Sequence, residues 1–228
     1  MAKYVPEIKG ILRRHVIQVP ETIREASGIK IFGKRLKSFI FSTDVAVIKN
    51  TNADAVIAVY PFTPQPLITQ AIVLSADIPV FCGVGGGITT GKRVVNLALD
   101  AEFKGAMGVV VNSPTPNDVI RQMRDTIDIP IIVTIVSEYE NIKERIEAGA
   151  TILNVSGAKR TTHIIRKIRE DYPNFPIIAT GGPTEDSIKA TIQAGANAIT
   201  FTPLPAADIL SEIMTSYREK YEEERDND

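Results

Sequence analysis

A chain of 228 residues can bury a sizeable core, as one large domain or two small ones, and its 44% apolar and 23% charged residues are an ordinary globular balance. The net charge of −1 lacks the basic excess on which nucleic-acid binding leans, so no nucleic-acid partner is expected. The single cysteine, Cys82, excludes an internal disulfide and suits a reducing cytoplasm; the charged opening MAKYVPEIKGILRRH is unlike a signal peptide, and no apolar run approaches the roughly 20 residues that span a bilayer.

In chain order, residues 4–27 read as helical with a break at Pro20, so 1–28 forms an N-terminal helical extension. Its amphipathic pattern admits two readings, a homodimer contact or a cover for the base of the fold. IKIFGKRLKSFIF (29–41) alternates apolar and polar residues around Gly33-Lys34, which reads as a hairpin running into the first strand of the main fold. Short runs rich in Val, Ile and Thr then follow at 38–43, 54–61, 79–84, 107–112, 130–136, 151–156, 176–181 and 198–202. Helical spacing separates most of them, clearest in ENIKERIEAGA and DSIKATIQAGANA, where Gly closes the helix; the segment after the first run, near DVAVIKN, is short. Alternating strands and helices give a parallel sheet covered by helices, and eight such units favour a closed (β/α)8 barrel of the α/β class over a doubly wound open sheet. The barrel is assigned to 29–215, its base plugged by the hairpin. The tail 216–228 is a charged helix end expected to fray, and no linker divides the single domain.

VFCGVGGGITTGKRVV (80–95) invites comparison with nucleotide-binding loops and fails both tests. A P-loop needs Ser or Thr after Gly-Lys to hold magnesium, and the residue here is Arg93. A dinucleotide fingerprint needs a small residue where Ile88 stands and an acid where the next strand ends in Asn112. In a barrel this stretch is the loop after the third strand, on the active-site face, where Gly86 and Gly87 let backbone approach a ligand closely.

The stronger phosphate signal lies near the end, in IIATGGPTEDSIKATIQAGANAITFTP. The Gly181-Gly182 turn exposes backbone N–H groups, Pro183 suits a first helical turn, and Gly182 with the backbone around Thr202 would donate to an anion, against some competition from Glu185 and Asp186. Residues 176–203 resemble the closing half of phosphate-binding (β/α)8 barrels of the ribulose-phosphate-binding type, and are similar to the thiazole synthase-like small barrels. The lead-in IKIFGKRLKSFIFST resembles theirs as well. This resemblance implies a phosphate-bearing small molecule. It names no reaction, because lyases, isomerases, epimerases and synthases share it. The Schiff-base lysine of thiazole synthase has no counterpart, since none of the eight runs contains lysine.

Strand parity selects polar residues for the barrel interior or mouth: Ser42, Tyr60, Asn112, Thr134, Asn154, Ser156, Thr180, Thr200 and Thr202. Asn112, Thr134, Asn154 and Ser156 are the ligand-binding candidates. For proton transfer the candidates are Glu138, just beyond the fifth strand, Asp44, after the first, and Lys159, which could also pair with phosphate or form an imine. His163 reads as a solvated helix residue and Cys82 as a buried, inert thiol. No Gly-x-Ser-x-Gly elbow and no metal-ligand spacing occurs, so neither a metal nor another cofactor is expected. The expected function is a cytoplasmic barrel enzyme acting on a small phosphate ester by a lyase, isomerase or epimerase step. Phosphate-ester hydrolysis and non-catalytic sensing are the alternatives.

Overall fold

The computed structural model describes residues 4, 6, 8, 10 and 16–226. Among them, eight parallel strands close into a barrel: β3 (Ser38–Phe41), β4 (Ala55–Ala58), β5 (Val80–Gly85), β6 (Gly108–Val111), β7 (Ile131–Ile135), β8 (Ile152–Val155), β9 (Ile177–Thr180) and β10 (Ala198–Phe201). β10 pairs back onto β3 through Ile199–Ser38 and Phe201–Ile40. The helices between and after them are α1 (Val45–Lys49), α2 (Pro66–Ser75), α3 (Lys92–Phe103), α4 (Asn117–Arg124), α5 (Ile142–Ala148), α6 (Thr161–Asp171), α7 (Glu185–Gln193) and α8 (Ala206–Asp226). Each expected strand run holds a strand whose ends fall within three residues of the expected ones, mostly further in; β5 runs one residue beyond, to Gly85. The (β/α)8 barrel is therefore established.

The apolar strands divide into two cores by alternation. Phe39, Ile57, Phe81, Val110, Ile132, Ile152 and Ile178 fill the barrel, with Phe39 and Phe81 meeting edge-to-face at 5.3 Å. Ile40, Val56, Cys82, Val109, Val133 and Leu153 pack outward against the helices. Burial and, secondarily, Asp100 push the Cys82 thiol up to about 12, which keeps it neutral and unreactive.

The hairpin forms as β1 (Ile29–Ile31) and β2 (Lys34–Leu36), joined by Phe32-Gly33, whose φ of 44° and 83° give the primed turn that suits twisted strands. Ile29, Ile31 and Leu36 pack under Phe39 and Phe81 and plug the barrel base. Asp54 ties this base together, accepting from the Lys37 and Ser38 N–H groups and from Arg24. Burial alone would raise its carboxyl pKa; those donors outweigh it and hold the group below the usual carboxylate range.

One expectation needs correction. Residues 16–20 are not helical. Ile17 bridges to Thr51, donating to Asn50 O and accepting from Asn52 N, because β-branched Val16, Ile17 and Val19 before Pro20 favour extended backbone. Helix starts only at Glu21, as one 3-10 turn to Glu25. The helix expected over 4–15 lies mostly outside the described residues; Tyr4, Pro6, Ile8 and Gly10 have no regular structure. The charged tail from 216 is the end of a helix, as expected: it continues α8 to Asp226, as its run of strong helix formers, Arg, Glu and Lys, allows. No helix among the described residues is long and apolar enough to cross a membrane.

Candidate functional site

The C-terminal ends of the barrel strands carry the polar layer expected there. Thr134, Asn154, Thr180 and Thr200 continue the inward parity of Ile132, Ile152, Ile178 and Ala198. Asn154 Nδ2 donates to Thr134 Oγ1 at 3.4 Å, and Thr180 Oγ1 to Ser156 Oγ at 3.2 Å. Asn154 Oδ1 and Thr200 Oγ1 are buried with no hydrogen-bond partner in the protein. Burying polar oxygens unpaired is costly, so this layer is tolerated at a cost to stability. Ser42 and Tyr60 do not share that interior. They follow the parity of Ile40 and Ala58, which pack on the helices; Ser42 Oγ accepts from Asp44 N, and the Tyr60 hydroxyl from Gln65 N.

Above β5 the glycine stretch borders a cavity of about 250 Å³ between its own loop and the loop after β4. Gly83, Val59 and Asn112 line it below, with Tyr60, Phe62 and Ile88 around it. A bulge at Gly83–Gly85 shifts the register of β5 against β6, so that Gly85 pairs with Val111 and its O accepts from Asn112 N at 3.0 Å. Gly86 sits at φ 106°, where an added Cβ would lie 2.5 Å from Asn112 Cβ, so this loop can rest on Asn112 only with glycine there. Gly86 N donates to Thr89 O, closing a tight turn that leaves Gly87 and Ile88 exposed. α3 follows with no side-chain N-cap.

At the closing end, Gly182 (φ 82°) turns the chain into α7. The helix begins one step later than expected. Thr184 is the N-cap, leaving Pro183 before it, because Thr184 and Ser187 exchange bonds in a capping box: Ser187 N to Thr184 Oγ1 at 3.2 Å and Thr184 N to Ser187 Oγ at 3.1 Å. Thr202 lies exposed beyond β10, and the next helix, α8, gives its Ala206 N–H to Asp44 Oδ2 at 3.0 Å. Asp44 Oδ1 meanwhile caps α1 through Ala46 N and Val47 N. Asp44 thus holds two helix starts together, and both helix starts near Gly181, Gly182 and Thr202 already have side-chain acceptors.

Glu138, on the loop after β7, and His163, in the first turn of α6, meet at 2.8 Å between Oε2 and Nε2. Arg160 stands 3.7 Å from Glu138 Oε1, and Lys167 Nζ donates to the Glu138 carbonyl. The Glu138 side chain is 18% exposed, that of His163 62%. Glu138 borders a groove of about 480 Å³ between α5 and α6, toward the outside of the barrel. Lys159 is exposed in the single helical turn Ala158–Arg160. His163 is the exposed helix residue expected, but it has a partner that the sequence does not show. Its partner stands 25 residues away, and only the barrel's placement of successive strand–helix units side by side brings them together.

Sequence reasoning missed the Glu140–Arg145 pair. Glu140 Oε1 accepts from Ser113 Oγ and from the Val136 and Ser137 N–H groups, and Arg145 stands 3.6 Å from Oε2. Arg145 also donates to Ser113 O, Thr115 O and Asn117 Oδ1. The network locks the loop beginning at Asn112 to the loop carrying Glu138. Nothing in the spacing separates Glu140 from its neighbour Glu138. Among the described residues, no group of three or more His, Cys, Asp or Glu could hold a metal ion.

No protein-family profile and no curated protein matches the sequence. Solved structures do. One described as a phosphonomutase from Burkholderia cenocepacia J2315 is 15% identical over 80% of this chain and 93% of that one, with a TM-score of 0.62. 2,3-Dimethylmalate lyase, of the PEP mutase/isocitrate lyase superfamily, is 14% identical over 89% and 86%, with a TM-score of 0.61. Phosphonopyruvate hydrolase, solved with oxalate and Mg++, is 13% identical over 85% and 83%, with a TM-score of 0.58. At these identities the likeness is that of the barrel fold.

Proposed function

We propose that the chain is a barrel enzyme of lyase, mutase or isomerase type that binds a small phosphorylated metabolite at its mouth. The observation that carries this is the cavity at the C-terminal end of β5, where the fold puts ligands and where glycine backbone and Asn112 converge. The Gly87 N–H and the Asn112 side chain hold the anionic head, on a turn that Gly86 closes by donating to Thr89 O. Thr134, Asn154, Ser156 and Thr200 form the polar layer across the strand ends beside that cavity, and exposed Lys159 meets charge at the rim. Support for the reaction class comes from the structural neighbours: two are described as a phosphonomutase and a phosphonopyruvate hydrolase, the third as 2,3-dimethylmalate lyase. The Glu138–His163 pair supplies the acid–base chemistry. With Nε2 donating to the carboxylate, Nδ1 is the nitrogen left to take a proton, and Glu138 holds that tautomer.

The test has two stages. Thermal unfolding against triose phosphates, sugar phosphates, glycerol phosphate and inorganic phosphate should single out one class. Ligand at ~100 times its Kd contributes about 2.7 kcal/mol, a shift of roughly 5–10 °C here, and Asn112→Leu should abolish it. Solvent deuterium exchange into the selected ligand, followed by NMR, should then occur with the native protein and stop in His163→Ala and Glu138→Gln. The sensor reading draws on one observation, that Glu138 borders the outer groove; binding without exchange would establish it instead.

A further inference from the structure

Two large apolar side chains stand in water on opposite rims of the mouth cavity. Phe62, on the loop after β4, is 73% exposed, and Ile88, on the glycine loop, is 97% exposed. Neither is loose by virtue of its backbone. Phe62 lies in YPFTPQP, where Pro61, Pro64 and Pro66 restrict the chain and the Tyr60 hydroxyl braces the loop through Gln65 N at 2.8 Å. Ile88 lies inside the turn closed by Gly86 and Thr89. The described residues lining the cavity include no charged side chain; its polar groups are the glycine backbone, Tyr60, Thr63, Thr89 and Asn112, and the Tyr60 hydroxyl already accepts from Gln65 N. Such a cavity is ill suited to a heavily charged ligand and well suited to one anionic head on an apolar body. At about 250 Å³ it takes a compact ligand.

Building on the mouth site proposed above, we infer that the ligand's body is apolar and about the size of one phenyl ring. Phe62 and Ile88 border that body at the rim and select for it, while the head rests on Gly87 and Asn112. Burial of both exposed side chains against the body is the source of selectivity.

Calorimetric titration of phenyl phosphate, glycerol phosphate and inorganic phosphate tests this. The native protein should bind phenyl phosphate roughly tenfold or more tightly than glycerol phosphate. Phe62→Ala and Ile88→Ser, both at exposed positions that leave the fold intact, should each remove most of that preference and leave glycerol phosphate binding unchanged. Equal affinities, or a preference that survives both substitutions, overturns the inference while the mouth site stands. If none of the three compounds binds, or if binding persists undiminished in Asn112→Leu, the mouth site itself fails and this inference with it.

Discussion

The chain makes two glycine turns at the mouth of the barrel, and they do opposite things. At Gly181-Gly182 the neighbouring helix starts are satisfied from within: Thr184 and Ser187 cap α7, and Asp44 caps α8. At Gly85–Gly87 the turn packs on Asn112 and borders a cavity, and the helix that follows has no side-chain cap. The turn at Gly181-Gly182 carries the family resemblance, and the one at Gly85–Gly87 fails every nucleotide-loop pattern. Glycine content therefore does not identify an anion site. What distinguishes the two is whether Ser, Thr or Asp already accepts from the N–H groups.

The largest effect expected to break this comparison is at Gly86. Gly86→Ala puts Cβ 2.5 Å from Asn112 Cβ and 2.8 Å from its nitrogen, at φ 106°, so nothing nearby can yield. A loss of roughly 2–4 kcal/mol is expected in chemical denaturation. Gly182→Ala meets only the Ser187 side chain, at 2.6 Å, and should cost about 1–2 kcal/mol. Equal losses would mean that the turns are equivalent after all. Next comes Asp44→Ala, which uncaps α1 and frees Ala206 N together, at about 1–2 kcal/mol. Asp44→Asn, which keeps an acceptor, should recover part of it.

Thr184→Ala should cost about 1 kcal/mol and leave any phosphate-induced thermal shift unchanged, since the mouth reading puts the anion on the other turn. Gly182→Asp sharpens the same point: a retained shift favours the Gly86 turn, a lost one returns the anion to the closing end. The smallest effect is at the base, far from both turns. The folded-state pKa of Asp54 lies below its unfolded value, so its contribution is complete above the unfolded pKa. It is lost as pH falls through the folded pKa. Asp54→Asn should therefore flatten the acid limb of a stability-versus-pH curve and leave ligand-induced shifts alone.

The barrel was legible because its signal is repeated. Eight apolar runs, each bounded by turn residues, outvote any local ambiguity, and the hairpin's alternation marked its own place. The site was legible only where one strand decides the direction of a side chain. Inward parity held for Thr134, Asn154, Thr180 and Thr200, which lie within strands or at their ends. Ser42 and Tyr60, beyond their strand ends, follow the outward parity and brace the following loop, though Tyr60 still borders the mouth cavity. Pairings across loops, Glu138 with His163 and Glu140 with Arg145, have no periodicity to reveal them. The helix predicted over 16–20 failed because β-branched residues found a strand partner at Thr51.

The bond from Asp44 to Ala206 also has a meaning in time. It spans 162 residues, and the neighbouring β3–β10 pairing spans nearly as many. Every other strand can pair with a neighbour made shortly before it as the chain is synthesised. β3 cannot complete its pairing until β10 exists, so the ring stays open, with two unpaired edges, until almost the whole chain has emerged. Closure is then a late, long-range step of the kind that is slow and exposed to misassembly. Asp44 is a latch on that last seam, so weakening it should speed the loss of the native state.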